Sequence, residues 1–256
     1  MTTETAAASL PPVVSRDEWL AARTALLARE KELTRLRDAL VADRRRLPMV
    51  EVEKDYVFGG PEGRVGLRDL FGERHQLIVA HFMFHPDWDA GCPSCTAGAD
   101  EVADGLRRHL EARDTRLVYV SRAPLAKLEA YRAQKGWTFP WYSSHGSDFN
   151  YDYGVTLDES VAPVVCNYRT KEEYERRGEP FASDAEEGAL ERPGRSAFLR
   201  VGDTVYHTYS VYARGLESMG GSYYLLDETA LGRQEAWEEP KGRAAAARDA
   251  VPDFAE

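Results

Sequence analysis

Apolar side chains return every seven residues at Trp19, Leu26, Leu33, Leu40 and Leu47, with Ala22 and Leu36 beside them. That spacing predicts one long helix from Ser15 to Leu47. Ser15 and Glu18 supply an S-x-x-E capping box at its start, and Pro48 a stop at its end. Arg29 and Asp43 interrupt the second stripe, which favours a helix packed on its own domain over a coiled coil. A homodimer paired through this helix is the alternative. Arg44, Arg45 and Arg46 complement the helix dipole in the last turn and need no ligand to explain them.

Beyond Met49 the apolar runs shorten. Val50 to Phe58 reads as extended, and Gly59-Gly60-Pro61-Glu62-Gly63 as a turn, with a short segment at Leu67 to Phe71. Leu77 to Phe84 is an apolar run of buried-strand type, followed by turn chemistry from His85 to Gly91. A helix then opens at Cys92, with Ala99, Val102, Ala103, Leu106 and Leu110 on one face. Its acidic residues come first (Asp100, Glu101, Asp104) and its basic ones last (Arg107, Arg108, Arg113), as the dipole prefers. Arg116 to Ser121 is the next strand, and Pro124 to Lys135 a helix opened by proline and closed by Gly136. Strand, helix, strand, helix predicts an α/β fold with a parallel pair joined by a right-handed crossover. Thr138 to Ser143 reads as extended, because a residue before proline avoids the helical region. Asp158 to Arg195 is polar and reads as an insertion with one short helix near Lys171 to Arg177. Ser196 to Val201 and Thr204 to Tyr209 form a hairpin about Gly202-Asp203. Residues 1–14 and the charged, Ala-rich stretch 236–256 read as loosely held ends.

The chemistry concentrates in Cys92-Pro93-Ser94-Cys95. Cys92 falls near the N-cap and Pro93 at the first helical position, where a missing N–H costs nothing. A sulfur there faces unpaired amide hydrogens and the positive end of the helix dipole, both of which favour the nucleophilic thiolate. In parallel sheets the reactive crevice lies at the carboxyl ends of the strands, which is where Cys92 falls. Asp87 and Asp89 oppose the thiolate by raising the local negative potential. His85 is the nearby acid–base candidate, and Trp88 a shield over the dithiol and a hydrophobic contact for a partner. His81 reads as a hydrogen-bonded core residue. The aromatics Trp137, Phe139, Trp141, Phe149, Tyr151 and Tyr153 read as core and rim, with the wall of a substrate cleft as the alternative.

The chain has 256 residues with 43% hydrophobic and 30% charged, an ordinary balance for a folded domain. A net charge of -10 opposes non-specific binding to nucleic acid or anionic lipid. No apolar stretch reaches the roughly 18 residues of a membrane helix. The start of the chain lacks a basic, then hydrophobic, leader. Three cysteines are too few for a secreted disulfide scaffold and suit a reducing cytoplasm. A lone Cys-x-x-C supplies two of the four ligands zinc requires, and neither Cys166 nor His85 stands at zinc-finger spacing. The expectation is therefore no metal and no cofactor.

In order, these elements resemble the thioredoxin fold. The phrases His81-Phe-Met-Phe-His-Pro86, Gly91-Cys-Pro-Ser-Cys95, Ser121-Arg-Ala-Pro-Leu125 and Gly136-Trp-Thr-Phe-Pro-Trp-Tyr-Ser-Ser144 are more specific. With Ser147-Asp-Phe-Asn-Tyr-Asp-Tyr-Gly154 and His207-Thr-Tyr-Ser-Val-Tyr-Ala-Arg-Gly215, they resemble the bacterial thioredoxin-like family catalogued as domain of unknown function 899. The similarity spans about Met49 to Glu235 and departs from the family pattern in the 158–195 insertion and in Asp227-Glu-Thr-Ala-Leu-Gly-Arg233. It implies a thioredoxin-like domain with dithiol–disulfide activity. Cys92 would be the nucleophile and Cys95 the resolving thiol, with protein or small-molecule disulfides as substrates and a cellular dithiol as reductant. Phe139-Pro140, Tyr153-Gly154-Val155 and Arg195-Ser-Ala-Phe198 are similar, more faintly, to peroxiredoxins. In that group the arginine supports a peroxide-reactive thiolate, but Asp89 stands where their approach to the cysteine carries threonine. A thiol peroxidase and a non-catalytic thioredoxin-fold binding module are the competing expectations. Neither reading supplies roles for Cys166, His207 or Arg214.

Overall fold

Ser15 caps the first helix, α1 (Arg16–Arg44), as its capping box requires: the Glu18 amide donates to Ser15 Oγ at 3.3 Å and the Ser15 amide to Glu18 Oε2 at 2.9 Å. Regular helix ends at Arg44, and a turn carries the chain to Leu47. Pro48 accounts for the shortfall, because it has no N–H to donate to the Arg44 carbonyl and disfavours helix in the residue before it. The computed structural model describes residues 11–179, 181 and 190–219. The chain divides into two compact units, of whose described residues 11–48 belong to the first and the remainder to the second. Residues 11–14 have no regular structure, while 1–10 and the expected tail lie outside the described residues.

The second unit is built on one eight-stranded mixed sheet. Its strands are β1 (Val50–Glu51), β2 (Val57–Gly60), β3 (Gly63–Gly66), β4 (Gln76–His81), β5 (Thr115–Ser121), β6 (Trp141–Ser143), β11 (Gly194–Val201) and β12 (Thr204–Tyr212), in the order β1-β12-β11-β4-β5-β6-β2-β3. Strands β4, β5 and β6 run parallel, and β11 lies antiparallel to β4 and β12. The first helix after β4 is α2 (Pro93–Asp100), and α3 (Asp104–Glu111) follows it; α4 (Leu125–Lys135) joins β5 to β6. Strand, helix, strand, helix and then a hairpin, paired as β12-β11-β4-β5, is the thioredoxin-fold arrangement expected from the sequence.

Three local expectations are corrected. The strand predicted to Phe84 ends at His81, because its neighbour β11 begins at Gly194, opposite His81. The helix expected after Cys92 breaks at Glu101–Ala103. Asp100 and Asp104, on either side of the break, accept from Trp137 Nε1 at 2.8 Å and Thr138 Oγ1 at 2.8 Å, while Val102 packs on an aromatic cluster. Pro124 is the N-cap of α4 rather than its first residue. The expected insertion holds the hairpin β8 (Val165–Cys166) and β9 (Arg169–Thr170), then α5 (Lys171–Arg177), the one short helix expected there. Just before it, a one-turn helix (Phe149–Asp152) leads into β7 (Thr156–Leu157), which pairs with β10 (Leu190–Glu191).

Alternation along the central strands divides the core. Leu77, Val79, Val118, Val120 and Phe198 face one side of the sheet with Phe58, Phe71 and Phe149. Ala80, Leu117, Tyr119 and Trp141 face the other with Phe82, Phe84, Leu128 and Phe139. The second side carries the dithiol.

Candidate active site

The peptide from Phe82 to Gly91 leaves the carboxyl end of β4 and delivers Cys92 to the start of α2. The Phe82 amide donates to the Val120 carbonyl at 2.9 Å, and the Phe82 carbonyl accepts Ser121 Oγ at 2.7 Å. Farther on, the Cys92 amide donates to the Met83 carbonyl at 3.0 Å. Gly91 is closely packed here: a Cβ would lie 2.5 Å from Phe82 Cε1, so the ring or the loop would have to shift. Lys127, from α4, donates to the carbonyls of Pro86 at 2.6 Å and Trp88 at 2.9 Å, holding the loop down. Sequence reading missed Lys127, since nothing in a helical lysine announces a distant carbonyl partner.

Cys92 is the N-cap of α2 and Pro93 its first residue, both as expected. Cys92 and Cys95 are half-buried free thiols, and Cys95 packs with Trp88 against the aromatic cluster. The Cys92 thiol is drawn down to about 6, first by the Cys95 S–H and then by the backbone amides of Cys95 and Ser94, against the cost of burial. Cys92 makes no regular capping bond, so the amides act through a loose, mainly electrostatic approach to a large sulfur. Cys95 moves the opposite way, well above an ordinary thiol, through its bond to Cys92 and through burial. The helix amides expected to favour the thiolate do lower Cys92, and the partner thiol acts more strongly than either of them. Asp87 and Asp89 are not among the groups that set either acidity. Thr96 Oγ1 ties the site to α4, donating to the Cys92 carbonyl at 3.0 Å and meeting Tyr131 Oη at 3.0 Å.

His85 is half-buried, but its ring is committed elsewhere. Its Nδ1 accepts the Asp87 amide at 3.1 Å, and the ring lies 6.0 Å from that of Trp88. It is not among the groups acting on either sulfur. Arg195 lies in β11 opposite Ala80, which pairs in turn with Tyr119 and so with Trp141. This row places the half-buried guanidinium on the dithiol side of the sheet. Burial pushes the Tyr119 phenol up to about 12; Arg195 opposes that shift and Cys95 adds to it. Arg195 and Cys95 thus both act on Tyr119, in opposite directions, while neither Arg195 nor Tyr119 is among the groups that set either thiol. Cys166, in β8, stands outside it. Among the described residues, no three His, Cys, Asp or Glu side chains cluster as metal ligands.

On the opposite side of the sheet His81 Nε2 meets Ser196 Oγ at 2.8 Å, Ser196 Oγ meets Ser210 Oγ at 2.8 Å, and Ser210 Oγ meets His207 Nε2 at 2.8 Å. His81 is buried and is pushed down to about 3 by that burial, with His207 adding to the effect. It is the hydrogen-bonded core residue expected, and His207 acquires a place as the far end of its chain.

Solved structures similar to this chain include the peroxidoxin BcpB of Mycobacterium tuberculosis, at 15% identity and a TM-score of 0.42, covering 66% of this chain and 86% of that one. A peroxiredoxin Q mutant of Xanthomonas campestris follows at 13% identity and a TM-score of 0.39, with 61% and 79% covered. A putative protein disulfide isomerase of Bacteroides thetaiotaomicron has 23% identity over 40% of this chain and 64% of that one, with a TM-score of 0.29. No curated protein matches. Among the described residues no helix is long and apolar enough to cross a membrane. The family model described as "Bacterial protein of unknown function (DUF899)" matches residues 8–250, and the chain belongs to that family.

Proposed function

We propose that this protein is a dithiol–disulfide oxidoreductase with Cys92 as nucleophile and Cys95 as resolving thiol. The observation that carries the reading is the opposed acidity of two thiols one helical turn apart, Cys92 down to about 6 and Cys95 up. At neutral pH Cys92 is largely thiolate and attacks one sulfur of a substrate disulfide; that S–S bond breaks, a mixed disulfide forms, and the other sulfur leaves as thiolate. Once Cys92 is bound covalently, the Cys95 proton loses its acceptor. Cys95 gives that proton up to solvent or to the leaving sulfur and attacks Cys92 Sγ, releasing the second substrate thiol. The substrate is reduced by two electrons and the protein holds Cys92–Cys95 as a disulfide, which a cellular dithiol reduces again. Trp88 supplies apolar contact for a partner beside the sulfurs, in a cytoplasmic setting.

Reduction of insulin disulfides tests this. Cys92→Ser is expected to abolish turnover and Cys166→Ser to leave it intact; turnover unchanged in Cys92→Ser contradicts the reading. A thiol peroxidase is the second reading, favoured by Arg195 on the dithiol side of the sheet. Its mark is hydrogen peroxide consumption that requires both Cys92 and Arg195. Arg195 is not among the groups that lower the Cys92 thiol, which favours disulfide exchange.

A further inference from the structure

A cavity of about 230 Å³ opens on the side of the sheet opposite the dithiol. Tyr151, Tyr153, Tyr168 and Tyr212 form its aromatic walls, with Leu157 and Val165 between them. We propose that this cavity binds a small, uncharged molecule built on a planar ring.

Three observations carry the proposal. The first is strain. The β8–β9 hairpin turns on Asn167 (φ 47) and Tyr168 (φ 65), a two-residue loop in which both residues are left-handed. Glycine is the usual second residue of such a turn, and a bulky side chain there is strained. Tyr168 is held in it all the same, its hydroxyl donating to the Ser210 carbonyl at 2.9 Å and its ring edge-on to Tyr212 at 5.4 Å. Strained positions of this kind gather at ligand clamps.

The second is rigidity. Arg122 donates to the Tyr151 hydroxyl at 3.2 Å and to Glu191 at 2.6 Å, and Glu191, 1% exposed, also accepts from Thr156 Oγ1. Tyr212 Oη donates to the Tyr153 carbonyl at 2.8 Å. With Tyr168, three of the four aromatic walls are thus hydrogen-bonded in place before any ligand arrives, which lowers the ordering cost of binding.

The third is charge. Among the described residues no Lys, Arg or His lines the cavity, so an anion finds no counter-charge. Its two carboxylates are already engaged: Asp152 by Lys54 at 2.7 Å and Tyr56 at 2.8 Å, Asp158 by the Ser160 amide and hydroxyl. A cation would have to displace Lys54 from Asp152, and would find at Asp158 a single carboxylate already hydrogen-bonded by Ser160. A neutral ring needs only the tyrosine faces.

The experiment is a titration of full-length, ¹⁵N-labelled protein with benzamide, followed by amide chemical shifts, with benzoate and benzylammonium as charged counterparts. Saturable shifts are expected at amides between 151 and 168 and at Tyr212, with benzamide tighter than either ion. Ala162 is exposed on the cavity wall, so Ala162→Trp should weaken binding at least fivefold without disturbing the core. Tyr168→Gly should weaken it similarly while resistance to urea holds or rises, because glycine accepts the turn. No saturable shift, shifts elsewhere, tighter binding of either ion, or undiminished affinity in both variants overturns the proposal. Cys92→Ser is expected to bind benzamide like the parent, so this test stands or falls apart from the dithiol chemistry.

Discussion

Cys92 at the N-cap of α2 and Cys95 one helical turn on push each other's acidity apart: Cys95 is the strongest influence lowering the Cys92 thiol, and Cys92 the strongest raising that of Cys95, so that Cys92 carries the negative charge and Cys95 the proton. The attacking and resolving thiols are thereby ordered in time. Cys95 becomes free to attack only after Cys92 has spent its charge on a substrate.

The approach loop is packed without slack at Gly91. Gly91→Ala would place a methyl group 2.5 Å from Phe82 Cε1 and 3.3 Å from Tyr131 Cε1, both beneath the dithiol. Overpacking of this kind costs roughly 1–3 kcal/mol. Urea unfolding of the variant is expected to show that loss, together with slower disulfide exchange; unaltered stability would mean the loop yields freely.

Lys127 is the clasp on the same loop. In Lys127→Met the stem remains, but the Pro86 and Trp88 carbonyls lose a charged donor. Hydrogen bonds to charged groups contribute roughly 1.5–3 kcal/mol each when buried and less at this half-exposed position. Amide exchange from residues 87 to 91 should accelerate in this variant while the central strands keep their protection.

His81 makes the fold sensitive to acid. In the unfolded chain a histidine takes its proton near 6.5, whereas buried His81 does so only near 3. The unfolded state therefore binds more protons, and stability is lost as pH falls from about 6.5 toward about 3. His207 is displaced in the same direction, again by burial. Unfolding free energy followed across that range should fall less steeply for His81→Gln than for the parent. Parallel slopes would remove His81 from the acid response.

Much of this was legible in the sequence where a local signal and its structural cause coincide. The Ser15–Glu18 capping box, the apolar run at Leu77, the Gly202-Asp203 turn and the closing Gly136 each act within a few residues. The position of Cys92 at a helix start followed from Pro93. What escaped depends on partners distant in the chain. The helix break at Glu101–Ala103 is held by Trp137 and Thr138, and the loop clasp by Lys127. Nothing local to Ser196 or Ser210 marks the buried places they take between two histidines once β11 and β12 pair. Tyr168 in a left-handed turn defeats composition-based reading, because the turn would normally be marked by glycine. The priority of Cys95 over the helix amides in setting Cys92 likewise depends on side-chain geometry that residue spacing does not specify.

The most direct test is the pH dependence of Cys92 alkylation by iodoacetamide, measured in a Cys166→Ser background with the modified residue located by mass spectrometry. The rate should reach half its maximum near pH 6, and Cys95→Ala should move that midpoint upward by removing the bond that contributes most. A midpoint near the ordinary cysteine value of about 8.5 would contradict the account, leaving the dithiol without an activated nucleophile.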